Sequence, residues 1–150
     1  MRILVDENRK VHPYLENLKS MGVSLQKTLG NKSEVIIHDL NNPESSVIFI
    51  AGDLTDRDLG AQITDLVLRT IKNNDDPDDI LNYQTKSKDG RIFKSSTMFV
   101  RDDNDEVIGC LCTNYDVTDL LWAQNSMVNF TAVDNKEKDL NFNFEENLAN

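Results

Sequence analysis

The stretch KDGRIFKSSTMFVRDDNDEVIGCLCTNYD, Lys88 to Asp116, decides the fold of this chain of 150 residues. Its Asp-Gly pair favours the positive φ of a tight turn, and a strand-like run, Ile92 to Arg101, follows that turn. A polar turn then leads into a second run, Glu106 to Asp116, which is rich in apolar residues. Two such runs joined by a polar turn predict an antiparallel hairpin. Because the hairpin is long and apolar, we expect it to form the floor of a sheet.

The residues before this hairpin predict one helix and two more strands. Val11 to Leu29 carries apolar residues at helical spacing, with Pro13 in the first turn, where its missing N–H has no helical partner to lose. Gly22 weakens the middle, so the pattern also allows two helical pieces. Two apolar runs, Glu34 to Leu40 and Ser46 to Ala51, flank an Asn/Pro/Ser turn and predict a second hairpin. Residues 1–10 are expected to be a loose lead-in.

A loop, a helix and one further strand connect the two hairpins. The loop, Gly52 to Gly60, is polar and contains three aspartates. Apolar residues at helical spacing then predict a helix from Gln62 to Lys72. After an acidic loop, Leu81 to Ser87 is predicted to be a strand that enters the central hairpin. This order of elements, with five predicted strands, favours an α+β domain whose helices are segregated from its sheet.

The segment after the central hairpin predicts a helix and then a linker. Thr118 is a good N-cap, so the helix is expected to begin there. The helix has an apolar seam, with the single tryptophan just off it, and such a surface favours contact with a partner. The alternative is that its first apolar residues cap the domain's own sheet. Residues 132–150 are polar and Asn-rich and are interpreted as a linker. The candidate interface residues are Leu120, Leu121, Trp122, Met127 and Val128.

Composition and missing motifs exclude several classes of function. The formal net charge of −10 opposes direct binding to nucleic acid, which needs clustered Lys and Arg. The sequence shows neither a signal peptide nor an apolar run long enough to span a membrane, so a cytoplasmic location is expected. It contains no Gly-x-Ser-x-Gly, no phosphate-binding loop and no His-Glu-x-x-His, so an enzyme is not expected.

Several segments taken together resemble the YheO-like PAS domain, the sensor half of a family of bacterial transcriptional regulators. The central hairpin carries KDGR, KSST, RDD and IGCLCTNYD. Three earlier segments are similar to the family in the same order: His12-Pro13-Tyr14, Glu34 to Leu40 and Thr64-Asp65-Leu66. The resemblance covers about residues 11–131. It implies a PAS-like fold, a five-stranded antiparallel sheet with helices inserted between strand pairs and flanking N- and C-terminal helices.

The resemblance also implies a function. PAS sensors commonly dimerise through flanking helices, so a homodimer is expected. Asp116-Val117-Thr118 is similar to the Asp-Ile-Thr that couples many PAS sheets to an output helix. In the family the linker leads to a helix-turn-helix domain that this chain does not contain, so contact with DNA is expected only through that absent domain. A small ligand, dimerisation or both would control it by a population shift.

The central hairpin also holds most of the candidate ligand site. Strand alternation places Ser95 and Thr97 on the face of Phe93 and Phe99, where hydroxyls among apolar side chains could orient a ligand. The alternative is that both hydroxyls bond cross-strand neighbours. Arg57 is the candidate anion clamp, and its alternative is an exposed charge among the nearby aspartates. The candidate ligand-binding residues are His38, Arg57, Thr64, Ser95, Thr97, Cys112 and Asn114.

The loop before the second predicted helix departs from the family. Relatives tend to have Asn-Gly-His before this loop and Gly-Arg at its end, whereas this chain has Ala51-Gly52-Asp53 and Asp56-Arg57. If the replaced residues line the pocket in relatives, the ligand differs or the pocket has lost its role. The departure favours a second hypothesis, a ligand-free dimerisation module.

The two cysteines are interpreted as structural. Cys110 and Cys112 lie on one face of the predicted strand, where free thiols are usually buried. Their spacing matches no zinc pattern, and only His12 and His38 could add an imidazole, so no metal site is predicted. No signature of haem or flavin is visible, and no cofactor is expected besides an unidentified small molecule.

Overall fold

The hairpin that the sequence predicts lies at the centre of a sheet in the computed structural model, which describes residues 2–60, 64–74 and 76–134. The helices in these ranges are α1 (Pro13–Leu29), α2 (Asp65–Asn73) and α3 (Thr118–Thr131). The residues as far as Thr118 form one compact unit, and α3 from Asp119 onward belongs to a second. The strands are β1 (Ile3–Val5), β2 (Ser33–Asp39), β3 (Val47–Ala51), β4 (Ile80–Lys86), β5 (Ile92–Arg101) and β6 (Val107–Asp116).

The described strands form one sheet in the order β1-β3-β2-β6-β5-β4, in which every neighbouring pair is antiparallel. β6 is an interior strand, with β5 on one side and β2 on the other. The register places Cys110 between Phe99 of β5 and His38 of β2. Side chains that are directly opposite in neighbouring strands share a face. The sheet therefore brings three segments that are distant in sequence to one point.

Helix α1 packs on one face of the sheet. Its Leu15 is fully buried in a cluster with Phe49 and Leu111. Two glycines allow the helix and the sheet to approach closely. A Cβ atom added at Gly109 would lie 2.5 Å from Leu15 Cδ2, and one added at Gly22 would lie 2.8 Å from Phe49 Cε1.

The opposite face of the sheet carries a second apolar cluster. Val67 of α2 packs there with Ile36 and Phe99, and the two cysteines belong to the same cluster. Because successive residues of a strand point to opposite faces, His38 lies on this side with Ile36. The candidate ligand residues of β2, β5 and β6 therefore face the α2 side of the sheet.

The structure corrects the predicted number of strands from five to six. The additional strand, Ile3–Val5, lies inside the predicted lead-in and pairs with the outer edge of β3. Three residues are too few for a period-two pattern to be recognised in a sequence. Helix α1 is continuous through Gly22. Glycine has a low helix propensity, but Phe49 packs against Gly22, and this tertiary contact stabilises the helix at that point.

Two predicted boundaries fall partly outside the described residues. Helix α2 begins at Asp65, and the predicted start at Gln62 lies in a range that the structure does not describe. The predicted linker, 132–150, is described only as far as residue 134. Among the helices described, none combines the length and the apolar character needed to cross a membrane.

Candidate functional site

A cavity of about 250 Å³ opens on the α2 side of the sheet. It is bounded by α2, by the loop that follows β3 and by strands β4, β5 and β6. Its volume lies near the lower end of the range for small-molecule sites, so it suits a ligand of few atoms. The lining residues are Thr55, Arg57, Thr64, Leu66, Tyr83, Thr85, Lys86, Ser87, Phe93, Cys112 and Asn114.

Four of the seven candidate ligand residues line this cavity: Arg57, Thr64, Cys112 and Asn114. Thr64 reaches it from the N-cap position of α2. Cys112 and Asn114 reach it together because residues two apart on β6 share a face. The other three candidates, His38, Ser95 and Thr97, are buried beneath this lining.

Ser95 and Thr97 are buried and bond to the lining residues. The Ser95 hydroxyl donates to Asn114 Oδ1 at 2.8 Å, and Thr97 Oγ1 lies 2.8 Å from the hydroxyl of Tyr83. In the structure both hydroxyls therefore bond to neighbouring strands, which is the alternative that the sequence left open. Their direct contact with a ligand stays a prediction. Their bonds orient Asn114 and Tyr83, which both line the cavity.

Two basic side chains line the cavity although the chain is strongly acidic. Arg57 and Lys86 line it, and none of the lining residues that the structure describes is a carboxylate. Within the described parts of the chain, the Arg57 guanidinium makes no hydrogen bond or salt bridge through its side chain. Its backbone carbonyl is held by Arg2, which donates to it at 3.0 Å. A half-buried guanidinium of this kind is a ready partner for an anion.

Tyr83 and Thr85 also line the cavity, and neither was among the candidate ligand residues predicted from the sequence. They lie two apart on β4, and the period-two pattern of that strand could have indicated that they share a face. Burial raises the pKa of Tyr83, while its hydrogen bond to Thr97 acts in the opposite direction. At neutral pH Tyr83 is therefore a neutral phenol that can donate a hydrogen bond into the cavity.

A buried carboxylate supports the loop that carries Arg57. Glu34 is fully buried and accepts bonds from the backbone N–H groups of Leu54 and Thr55, each at 2.9 Å. The Thr55 hydroxyl donates to its other oxygen at 2.6 Å. These bonds hold the beginning of the loop against β2. The sequence offered no signal for this role, because Glu34 lies in a strand and its partners lie twenty residues away.

His38, Cys110 and Cys112 form a buried cluster at the cavity wall, to which Cys112 itself contributes. The two sulfur atoms lie 3.9 Å apart, and a sulfur or nitrogen ligand atom of each residue lies within 4.8 Å of the others. His38 Nδ1 lies 2.7 Å from Ser46 Oγ, and His38 Nε2 is buried with no hydrogen-bond partner among the described residues. The contact between the two sulfurs raises the pKa of Cys110 and lowers the pKa of Cys112.

The candidate interface residues of α3 are largely exposed. Leu120, Trp122, Met127 and Val128 each expose 60% or more of their surface, and Leu121 is half-buried. At 100° per residue, Trp122 lies across the helix from the seam rather than just off it. Helix α3 therefore exposes apolar side chains on more than one side.

The chain is similar to one family model and to several known proteins. A family model described as the YheO-like PAS domain matches residues 9–132. An uncharacterized protein of Haemophilus influenzae is 33% identical over 110 residues, which are 73% of this chain and 48% of that protein. The uncharacterized protein YheO of Escherichia coli K12 is 34% identical over 103 residues, which are 67% of this chain and 43% of that protein.

A more distant likeness comes from the solved structure titled "Structure of an RNA-binding Light-Oxygen-Voltage Receptor". It matches 88% of this chain and 43% of that chain, with a TM-score of 0.47 and 11% identity. The chain spans less than half the length of the curated relatives that it matches. Since the family model covers nearly all of the residues that form the sheet and its helices, this chain belongs to the YheO-like PAS domain family.

Proposed function

We propose that this chain is a sensory domain that binds a small anion, such as a carboxylate, in the cavity beside Arg57. One observation carries the proposal. Among the described residues, the cavity of this acidic chain is lined by two cations, Arg57 and Lys86, and by no carboxylate, and the Arg57 guanidinium has no side-chain partner. Asn114 and Tyr83 add neutral polar groups that could orient the ligand.

The route from the cavity to the output helix runs through the beginning of β5. Phe93 lines the cavity, and the N–H of its neighbour Ile92 donates to Thr118 Oγ1 at 2.9 Å. The same hydroxyl donates to Asp116 at 2.6 Å, and Thr118 is the first residue of α3. A ligand that shifts Phe93 would therefore bias the packing at the start of α3, which is the population shift that a sensor requires.

The proposal extends to the whole regulator. A cytoplasmic homodimer would form through α3 and its apolar side chains, and a helix-turn-helix domain following the linker would carry DNA binding. The domain would act by binding and coupling rather than by catalysis. The competing proposal is a ligand-free dimerisation module, and the satisfied hydroxyls of Ser95 and Thr97 favour it.

Native mass spectrometry tests the ligand. The protein as purified is compared with its denatured mass, and its unfolding temperature is measured with small mono- and dicarboxylates such as acetate and succinate. We expect either a mass excess that is lost on denaturation or a carboxylate-dependent rise in unfolding temperature. Both should disappear in Arg57→Gln.

Arg69→Gln is the matched control, because Arg69 is an exposed arginine of α2 that does not line the cavity. It should keep the response of the wild-type protein. If the wild-type protein carries no additional mass and no carboxylate alters its unfolding temperature, the ligand-free module is the better description.

A further inference from the structure

The cluster of His38, Cys110 and Cys112 contains the donor atoms that a zinc ion prefers. Thiolate sulfur and imidazole nitrogen are the ligands of most protein zinc sites, and two cysteines with one histidine leave the fourth position open. All three residues are more than nine-tenths buried. The cluster therefore differs from the exposed groups of charged residues that are common on protein surfaces.

The distances within the cluster suit a single ion. Two sulfurs bound to zinc at about 2.3 Å in tetrahedral geometry lie about 3.8 Å apart. The sulfur atoms of Cys110 and Cys112 lie 3.9 Å apart. The ligand nitrogen of His38 lies within 4.8 Å of both sulfurs, so a modest rotation of side chains completes the geometry.

His38 has the second contact that ligand histidines usually have. Its Nδ1 lies 2.7 Å from the hydroxyl of Ser46, and donation by Nδ1–H to that oxygen leaves the Nε2 lone pair for a metal. Nε2 has no hydrogen-bond partner in the described residues although the side chain is fully buried. A buried polar atom without a partner is costly, and coordination would remove that cost.

Charge also favours a divalent ion. Two thiolates and a neutral imidazole around Zn²⁺ have no net charge, which is the arrangement that a buried site tolerates best. On binding, the thiol protons are released to solvent. Cys112 lines the cavity, so the open fourth position would face the space in which the proposed ligand binds.

We propose that His38, Cys110 and Cys112 bind one zinc ion through His38 Nε2 and the two sulfurs. The proposal departs from the prediction, made from the sequence, that the chain has no metal site. That prediction rested on the spacing of the cysteines along the chain. The register of β2 against β6 places His38 directly opposite Cys110, and spacing alone does not reveal that pairing.

The first test measures zinc bound by the whole chain. The reduced protein is incubated with zinc chloride, desalted and analysed by inductively coupled plasma mass spectrometry. We expect one zinc ion per chain in the wild-type protein and less than a tenth of that in Cys110→Ser and Cys112→Ser. His12→Asn is the matched control because it removes the other histidine, and it should retain zinc at the wild-type level.

Substitution with cobalt tests the ligands directly. Co²⁺ in the site should produce a thiolate-to-cobalt charge-transfer band and the intense visible bands of four-coordinate cobalt. Ser46→Ala should weaken the affinity for zinc about 10–100-fold, because it removes the partner of His38 Nδ1. This affinity loss distinguishes a positioning role of Ser46 from a purely structural one.

Two outcomes would overturn the proposal. In the first, the wild-type protein retains no zinc and shows no thiolate-to-cobalt band. This measurement does not depend on the folding of any variant. The other is retention of zinc by both cysteine variants at the wild-type level. Arg57→Gln should bind zinc like the wild-type protein, because Arg57 is not one of the proposed zinc ligands. The zinc proposal can therefore fail or succeed independently of the anion proposal.

Discussion

Gly109 lies in β6 directly beneath Leu15 of α1. A Cβ atom at this position would be 2.5 Å from both Leu15 Cδ2 and the backbone oxygen of His38. The backbone oxygen belongs to the neighbouring strand and cannot move without disturbing the ladder. We therefore expect Gly109→Ala to lower the free energy of unfolding by about 1–3 kcal/mol, as overpacked cores do.

Urea unfolding followed by circular dichroism measures this loss. Thr113→Ala introduces the same residue into the same strand at a half-buried position, and we expect it to change stability by about 1 kcal/mol or less. An unfolding midpoint of Gly109→Ala equal to that of the wild-type protein would show that α1 can move away from the sheet at little cost.

The sequence could not predict this role of Gly109. A glycine inside a strand indicates either a bulge or a close approach of another segment, and the sequence does not say which. The burial of Ser95 and Thr97 was predictable, because strand alternation depends only on neighbouring residues. Their partners were not, because Asn114 and Tyr83 come from two different strands whose register the sequence does not specify.

At the scale of elements, the end of β6 and the beginning of α3 share one carboxylate. Asp116 accepts bonds from the backbone N–H of Thr118 at 3.0 Å and from its hydroxyl at 2.6 Å. Burial opposes the ionisation of Asp116, yet these hydrogen bonds outweigh burial and hold its pKa below the usual value. The folded protein therefore favours the ionised carboxylate more than the unfolded chain does.

This pKa shift predicts a pH-dependent effect of Asp116→Asn. A lowered pKa stabilises the fold above the pKa of the unfolded chain, about 3.9, and this stabilisation is lost as the pH falls through the folded pKa. The wild-type protein should therefore be more stable than Asp116→Asn at neutral pH, by about 1.5–3 kcal/mol, the range of a hydrogen bond to a charged group. The difference should shrink in acid.

Urea unfolding at neutral pH and at about pH 3 checks this expectation, because the lower value lies below the unfolded pKa of aspartate. Asp58→Asn is the control for the general effect of removing one negative charge, since Asp58 is an exposed loop residue. A stability difference for Asp116→Asn that is the same at both pH values would contradict the assigned role of its carboxylate.

The elements themselves were largely predictable, and the exceptions have physical reasons. The runs of β2, β3, β5 and β6 are long enough to show their apolar patterns. Strand β1 has three residues and is recognisable only through its pairing with β3. The cluster of His38 with the two cysteines arises from the pairing of β2 and β6, which lie far apart in the sequence.

At the scale of the whole molecule, helix α3 is apolar on more than one side and exposed. A helix with this character is usually covered in the functional assembly. The homodimer proposal predicts that Leu120→Glu together with Val128→Glu raises the dimer dissociation constant at least about 10-fold, a change of about 1.4 kcal/mol. The dimer should weaken because the two glutamates would have to give up their hydration when the interface buries them.

Sedimentation equilibrium over a range of protein concentrations measures this constant. The matched control is Ser126→Glu with Asn129→Glu, which adds the same two charges to the other side of α3, where both residues are exposed. If the seam forms the interface, the control dimer stays near its wild-type affinity because its new charges remain in water. Equal weakening by both pairs would indicate general charge repulsion, and a wild-type monomer at all concentrations would exclude α3 of this chain as a sufficient dimerisation surface.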